Sequence, residues 1–593
     1  RRISEPIAIV GMACRFPGEV TDPRSYWRLL CGGVDAIRQT PPDRWDADAW
    51  YDPDPAAPGK MNTRWGGYLD RIDEFDNHFF GISDREAARL DPQHRMMLEL
   101  GWEALEDAGL PPSRLRGTKV GVFVGISLSD YAVLLTSDVS QTDAYVAAGT
   151  SLCLAANRLS FCLGFQGPSL VLDTACSSSL VAVHLACQSI RQGECEAALA
   201  GGTSLLLSPI GTVNLTKAGF CAGDGRVRAF DAAASGYVRG DGAGLVALKP
   251  LSAALRDQDP IYAVIRGSAV NQNGTSNGMT APSRPAQEQV LREAYQRAGV
   301  SPGQVQYVET QGTGTRLGDA IEALALGRVL AEGRHAGSRC AIGSVKTNFG
   351  HLEAAAGIAS LMKAALAVQQ GQLPPSLHFR TPNPDIPFDQ LPLEVQQRLA
   401  PWPATDHPRL AGVSAFGFGG SNAHVVLEQA PAAPQTGADL NTQRLALLPL
   451  SARTERARLA LAERYLQFLR GDPPAWSDVC FTAARRRDHH DCRLILLADS
   501  NAQAATLLEQ YVAGSPHSDR LGNVGWLSEP AKVGSESQPT DVFCGRKPYG
   551  RDLRVALLYG DRTDAWNPYL TRLSELASAV PATVQQLDAA WSR

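Results

Sequence analysis

Residues 173–180 read D-T-A-C-S-S-S-L, with a single cysteine, Cys176, set among small residues directly before an apolar run that has a helical look. A thioester reaches a thiol in such a place easily, and the start of a helix favours a thiolate through its free N–H groups and dipole. The following run, L-V-A-V-H-L-A-C over 180–187, is apolar nearly all round, which suits a helix buried on every side. A lone cysteine at the mouth of a buried helix is either a packing thiol or a nucleophile. Three consecutive serines are odd for pure core, and strand–turn–helix placement is that of an activated nucleophile.

Two further segments carry residues suited to acyl chemistry. In A-I-G-S-V-K-T-N-F-G-H-L-E-A-A-A-G-I-A-S-L-M-K, over 341–363, Lys346 follows a strand and His351 opens an alanine-rich helix. A helix start disfavours an imidazolium, so His351 is expected to be neutral; a surface histidine capping a helix is the plainer alternative. In G-V-S-A-F-G-F-G-G-S-N-A-H-V-V-L-E, over 412–428, glycines flank Phe416 and Phe418 and permit a tight loop whose N–H groups face a cavity, as an oxyanion hole requires. A glycine-rich turn before an edge strand is the alternative. The G-F-G-G run precedes a strand, so it is not a dinucleotide fingerprint.

These segments need a scaffold, and the pattern supplies one. At 593 residues the chain is too long for one ordinary core. Up to about residue 428, short apolar strands (7–11, 120–125, 169–172, 197–201, 245–248, 262–268, 307–309) alternate with helical patterns such as 84–107 and 287–298, the signature of an α/β fold. The Pro/Ala-rich stretch 429–439 marks a boundary. A smaller α/β segment follows, with a helix at 454–469 and a strand at 493–498; 514–551 is polar and glycine-rich, and a last strand-like run covers 555–558. The basic run R-R-R-D-H-H-D near 485–491 reads as a solvated or interdomain face.

The apolar fraction of 44%, charged fraction of 20% and net charge of −5 fit a globular protein and give no reason to expect nucleic acid or a membrane surface as partner. No stretch is apolar enough to span a bilayer. The twelve cysteines show no metal spacing, so no metal is expected. Cys153, Cys162, Cys187 and Cys195 read as buried thiols of a reducing compartment, and the cytoplasm is the expected location.

Taken together, the three segments resemble the ketosynthase domain of a modular type I polyketide synthase, of the β-ketoacyl synthase group in the thiolase-like superfamily. The resemblance runs from I-A-I-V-G-M-A-C-R-F-P-G (7–18) through F-F-G-I-S (79–83), D-P-Q-H-R (91–95), G-Y-V-R-G-D-G-A-G (236–244) and N-Q-N-G-T-S-N-G (271–278) to A-H-V-V-L-E. It implies a five-layer α-β-α-β-α fold of two similar halves over 1–430, usually a homodimer, followed by a ketosynthase-to-acyltransferase linker domain at 431–552. A truncated or degenerate acyltransferase-like fragment would occupy 553–593, where G-D-R-T-D stands in place of the family's G-Q-G-x-Q turn and no G-x-S-x-G elbow occurs. Acyltransferase activity would then come from elsewhere.

By the same resemblance, Cys176 receives an acyl chain from the phosphopantetheine arm of an acyl carrier protein, with no cofactor bound by the domain itself. The N–H groups of Cys176 and Phe418 form the oxyanion hole, His351 stabilises the enolate of a decarboxylating malonyl thioester, and Lys346 orients the region. The family's second histidine belongs in an H-G-T-G-T motif; here that position is Gln311. Glutamine hydrogen-bonds but does not titrate. The expectation is acyl transfer with impaired decarboxylative condensation. An ordinary condensing enzyme tolerating Gln311, a non-catalytic carrier-docking and dimerisation module, and a site repurposed for cyclisation stand as alternatives.

Overall fold

A computed structural model describes residues 5–432, 446–514 and 542–546. The expected strand at 555–558 and the acyltransferase-like fragment at 553–593 lie outside the described residues. The chain forms two compact units, Arg1–Ala433 and Pro434–Arg593.

The first unit is built on an eleven-stranded sheet. Its strands are β1 (Ile7–Arg15), β2 (Val120–Gly125), β3 (Ser169–Leu172), β4 (Ala197–Ser204), β5 (Gly242–Pro250), β6 (Ala263–Gln272), β7 (Tyr307–Glu309), β8 (Cys340–Gly343), β9 (Leu393–Val395), β10 (Leu410–Phe416) and β11 (Ser421–Glu428). The order is β9-β8-β7-β10-β11-β6-β1-β5-β4-β2-β3. From β1 outward the first half runs β1-β5-β4-β2-β3, and from β6 the second runs β6-β11-β10-β7-β8. Numbered within its own half, each gives the same order, so the fold is a duplicated topology with β9 added at one end. The seam is an antiparallel pairing of Ile7–Ile9 in β1 with residues 263–265 of β6. Interior strands such as V-G-V-F-V-G of β2 are buried along their whole length, as parallel strands covered on both faces must be.

Five longer helices matter most for placing the site. The outer face of the first half carries α1 (Pro92–Asp107), and that of the second carries α3 (Arg284–Ala298) and α4 (Arg316–Leu330). Between the halves lie α2 (Ser178–Gln192) and α5 (Ala356–Gln370), in the central core with Leu180, Val183, Ile358 and Met362. The three clusters thus separate five layers. The A-G-I-A-S-L-M-K-A-A-L-A-V run of α5 combines strong helix formers with small side chains, and it is buried on all sides.

The structure differs from the sequence pattern at several points. The helix expected over 84–107 is two, Asp84–Arg89 and α1. Pro92 bars Asp91 from helical geometry, and the Asp91 side chain instead caps the new start by accepting the Gln93 N–H at 2.8 Å. Cys187 and Cys195 are buried as expected, but Cys162 is half-buried and Cys153 exposed, at the surface turn that opens the helix Leu154–Leu163. Among the described residues no single helix is long and apolar enough to cross a membrane.

The second unit contains β12 (Ala446–Ala452), α6 (Glu455–Arg470), α7 (Trp476–Arg485), β13 (Cys492–Ala498), α8 (Asn501–Val512) and β14 (Val542–Arg546). Its three strands are antiparallel in the order β12-β13-β14. Leu448, Leu450, Leu494 and Leu496 from the strands meet Leu466 and Leu508 from the helices in a core of its own. Thr454 caps α6 by accepting the Ala457 N–H.

In the first unit the central helices of the two halves meet closely at Gly357 of α5. A Cβ there would sit 2.8 Å from the Leu180 Cβ and 2.9 Å from the Leu180 backbone nitrogen. Gly357→Val is therefore expected to force α2 and α5 apart at a cost of about 1–3 kcal/mol or more, read as a lower thermal midpoint with loss of Cys176 acylation. An unchanged midpoint would show that the helices can part freely.

Candidate active site

Cys176 lies in a single 3₁₀ turn, Ala175–Ser177, between β3 and α2. Ala175 has φ +55°, a left-handed conformation that non-glycine residues rarely adopt and that recurs at functional turns. The three serines hold this turn rather than fill space. Ser177 Oγ donates to the Thr174 carbonyl at 2.8 Å. Ser178 Oγ accepts the Thr174 N–H and donates to the Ala175 carbonyl, at 2.8 and 2.7 Å. Ser179 Oγ accepts the Ile358 N–H at 2.9 Å, tying the start of α2 to the start of α5.

The same tie brings His351 to the cysteine. His351 is fully buried and its backbone is clamped by the Tyr237–Gly240 strip: its N–H donates to the Val238 carbonyl, and its carbonyl accepts the Gly240 N–H at 2.9 Å. The Cys176 sulfur, a ring nitrogen of His351 and a carboxylate oxygen of Glu353 all lie within 4.8 Å of one another. His351 Nδ1 accepts the Glu353 N–H at 2.9 Å, so the neutral ring carries its proton on Nε2, which is buried and has no partner among the described residues. Burial, then the Lys346 and Arg239 charges, hold the His351 pKa well below its ordinary value. The ring is neutral as expected, though burial outweighs the helix end as the cause.

The cysteine departs from expectation. Burial pushes the Cys176 thiol up to about 12, and the Glu353 carboxylate adds to the rise. The N–H groups of Phe418 and of Cys176 itself, with Lys346 between them in effect, pull the other way and do not prevail. The resting group is a thiol, because leaving water outweighs the pull of the helix start. Both N–H groups lie beside the sulfur, where the carbonyl oxygen of a bound thioester would also sit.

The Phe418 loop is shaped by close approach. A Cβ on Gly417 would lie 2.3 Å from the Thr174 carbonyl oxygen, and Gly420 has φ +90°. The Gly417 N–H closes the β10–β11 hairpin on the Ser421 carbonyl at 2.8 Å.

Lys346 is buried in the short helical turn Lys346–Phe349. Burial lowers its pKa, while Glu309 and Glu322 oppose the shift. Glu322, from α4, accepts the N–H groups of Gln311 and Gly312, each at 2.8 Å, and burial lifts its pKa to about 7. Asp319 holds the end of the same loop through the Gly314 N–H. Gln311 is buried and its Nε2 donates to the Phe416 carbonyl at 3.1 Å. A carbonyl can only accept, which assigns the nitrogen to that side and leaves Oε1 as the other end of the amide; Oε1 is buried without a partner among the described residues.

Cys176, His351, Gln311 and the Phe416–Phe418 loop line one cavity of about 540 Å³. Sequence reasoning passed over Glu353, whose φ of +49° lets its N–H reach His351 while its carboxylate pairs with the buried Arg239 at 2.9 Å. It also missed Tyr237, whose ring lies 4.9 Å from that of His351. Both Tyr237 and Arg239 sit in the G-Y-V-R-G-D-G motif, which was legible as a motif without a role.

Residues 4–254 match the family described as Beta-ketoacyl synthase, N-terminal domain. Residues 262–380 match its C-terminal domain, and 382–496 the Ketoacyl-synthetase C-terminal extension. The chain is 50% identical over 518 residues to a phenolphthiocerol/phthiocerol polyketide synthase protein of Mycobacterium tuberculosis, covering 87% of this chain and 28% of that protein. A second phenolphthiocerol/phthiocerol polyketide synthase protein of the same organism is 49% identical over 515 residues, 86% of this chain and 27% of that one. The chain thus spans little more than a quarter of these relatives. Among solved structures, the ketosynthase from module 6 of the bacillaene synthase of Bacillus subtilis 168 superposes with a TM-score of 0.81 at 38% identity, covering 91% of this chain and 87% of that one. The oxazolomycin ketosynthase domain of Streptomyces albus JA3453 gives 0.81 at 41%, covering 86% and 89%. The duplicated five-layer fold and these matches together place the chain in the β-ketoacyl synthase family, as a thiolase-like ketosynthase of the polyketide synthase kind.

Proposed function

We propose that the first unit takes an acyl chain from the phosphopantetheine arm of an acyl carrier protein onto Cys176 and passes it onward without extending it. Cys176 gives up its proton as its sulfur attacks the carrier thioester carbonyl. The N–H groups of Cys176 and Phe418 hold the resulting oxyanion. Collapse breaks the bond to the pantetheine sulfur, which takes up the proton and leaves as a thiol. Lys346 fixes the surrounding carboxylates, and an acyltransferase on another polypeptide or domain supplies any extender units.

The observation that carries the non-elongating reading is the Gln311 amide. One Nε2–H is engaged by the Phe416 carbonyl and Oε1 can only accept, so a single N–H is all that Gln311 has left to donate. Decarboxylation of a malonyl thioester builds negative charge, and a carbonyl oxygen beside that charge opposes it. The His351 Nε2–H is then the main support for the enolate, where the family has two histidines. The intact His351 donor favours the second reading, an ordinary decarboxylative condensation that tolerates Gln311.

Intact-protein mass spectrometry with an acyl thioester, then malonyl-loaded carrier protein, separates the two. Wild type is expected to carry acyl on Cys176 and give no extended product. Gln311→His should gain product by on the order of 100-fold, the scale of one restored donor. Equal product from both would establish the condensing enzyme, and failure to acylate would leave a docking module.

The thiol state sets a pH dependence. With a pKa near 12, the thiolate fraction of Cys176 increases throughout the neutral range. Carbamidomethylation by iodoacetamide, mapped to the Cys176 peptide, should accelerate about tenfold per pH unit from 7 to 9. A plateau inside that window would mean the thiol is held far lower.

The family's homodimer has a ready surface. Among the described residues β3 ends the sheet and pairs on one side only, with β2. Such an edge invites a second strand. Beside it, on the helix Leu154–Leu163, Phe161 is 83% exposed. Phe161→Asp is expected to halve the mass seen by light scattering; an unchanged mass would place the interface elsewhere.

A further inference from the structure

The cavity that holds Cys176 contains a second feature that acyl transfer alone does not require. Gln287, in the first turn of α3, is only 2% exposed, and its Oε1 is buried without a hydrogen-bond partner among the described residues. It lines the same cavity as Gln311, whose Oε1 is also buried and unpartnered at 8% exposure. The neighbouring inward positions of α3, Val290, Leu291 and Ala294, are apolar and fully packed. The cavity wall carries other polar residues, such as Asn273, Thr313 and Asn422, but among its lining residues the two amide oxygens and His351 Nε2 are the buried atoms without a partner, and buried polar groups in native structures are nearly always paired.

Resting on the acyl-transfer reading, we infer that the chain loaded onto Cys176 is a hydroxyacyl group, with a hydroxyl near the thioester that donates to Gln311 Oε1 and room for a second that meets Gln287. Gln311 is tied to the loop beside the thioester. Its Nε2 holds the Phe416 carbonyl, two residues before the Phe418 N–H that reaches the Cys176 sulfur. A methylene leaves both oxygens unpaired, and a ketone sets acceptor against acceptor. A hydroxyl donates to Gln311, and because it also accepts, it can meet either end of the Gln287 amide. An ammonium group would want a free carboxylate. The cavity's carboxylates are already taken, Glu322 by the Gln311 and Gly312 N–H groups and Asp319 by those of Phe230 and Gly314. A site built to pair a substrate hydroxyl discriminates strongly against the analogue lacking it, since the site's own polar atoms are then left bare.

The test is the rate of Cys176 acylation by N-acetylcysteamine thioesters of hexanoate, 3-hydroxyhexanoate, 3-oxohexanoate and 3,5-dihydroxyhexanoate, followed by intact mass on the full chain. The 3-hydroxyacyl thioester is expected to load about 10- to 100-fold faster than hexanoyl or 3-oxohexanoyl, and the second hydroxyl to add a further gain. Gln311→Met should reduce the first preference to within about threefold, and Gln287→Met should remove the gain from the second hydroxyl. The readout is a ratio within each variant, so a general loss of activity does not imitate it. Equal loading of hexanoyl and 3-hydroxyhexanoyl by wild type, or ratios unchanged in both variants, would overturn this inference and leave acyl transfer standing. Loading of no thioester would overturn acyl transfer and this inference with it.

Discussion

The contact between α2 and α5 is the constraint on which the site depends. Each helix belongs to a different half of a duplicated fold, and each begins beside a reactive residue, Cys176 before α2 and His351 before α5. Gly357 lets the two backbones meet, and the Ile358 N–H on Ser179 Oγ fixes their starts. Neither half holds the pair alone. The strained turns at Ala175 and Glu353 persist because this packing determines them from both sides.

Around that contact lies a group of buried charges arranged in pairs. Lys363 and Glu309, both fully buried, are 2.7 Å apart, and the Glu309 carboxylate also accepts the Val345 N–H at 2.6 Å and the Tyr307 hydroxyl. Glu353 is paired with Arg239, and Glu322 and Asp319 hold the loop that carries Gln311. An ion buried without partners would be prohibitive, and removing one member strands the other. The network therefore fixes where the loops sit more than it adds to stability.

Much of this was legible in the sequence. The interior strands announced themselves as unbroken apolar runs, and β2, β3 and β7 have the bounds expected from pattern alone. Cys176, Lys346, His351 and the Phe418 loop stood in segments whose composition suited chemistry. What the sequence could not show is what depends on distant partners. Glu353 pairs with a residue 114 positions away, and nothing local marks it. The protonation state of Cys176 follows from enclosure by the second half of the fold, so a local reading of the helix start gave the wrong sign. The Gln311 substitution was visible, but which end of its amide faces inward depends on the Phe416 carbonyl, 105 residues on.

The placement of β1 bears on how the chain acquires its fold. Of the strands of this sheet, the earliest in the chain sits in its middle, between β5 and β6, and β5 begins only at Gly242. At ordinary translation rates of roughly 5–20 residues per second, β1 waits on the order of 10–50 seconds for its first neighbour. During that interval β2, β3 and β4 can pair among themselves while I-A-I-V-G-M-A-C-R, an apolar segment with both edges open, stays unpartnered. A sheet of this topology is most exposed to aggregation before β5 has left the ribosome, and β1 is the segment that a holding chaperone would most usefully cover in that interval.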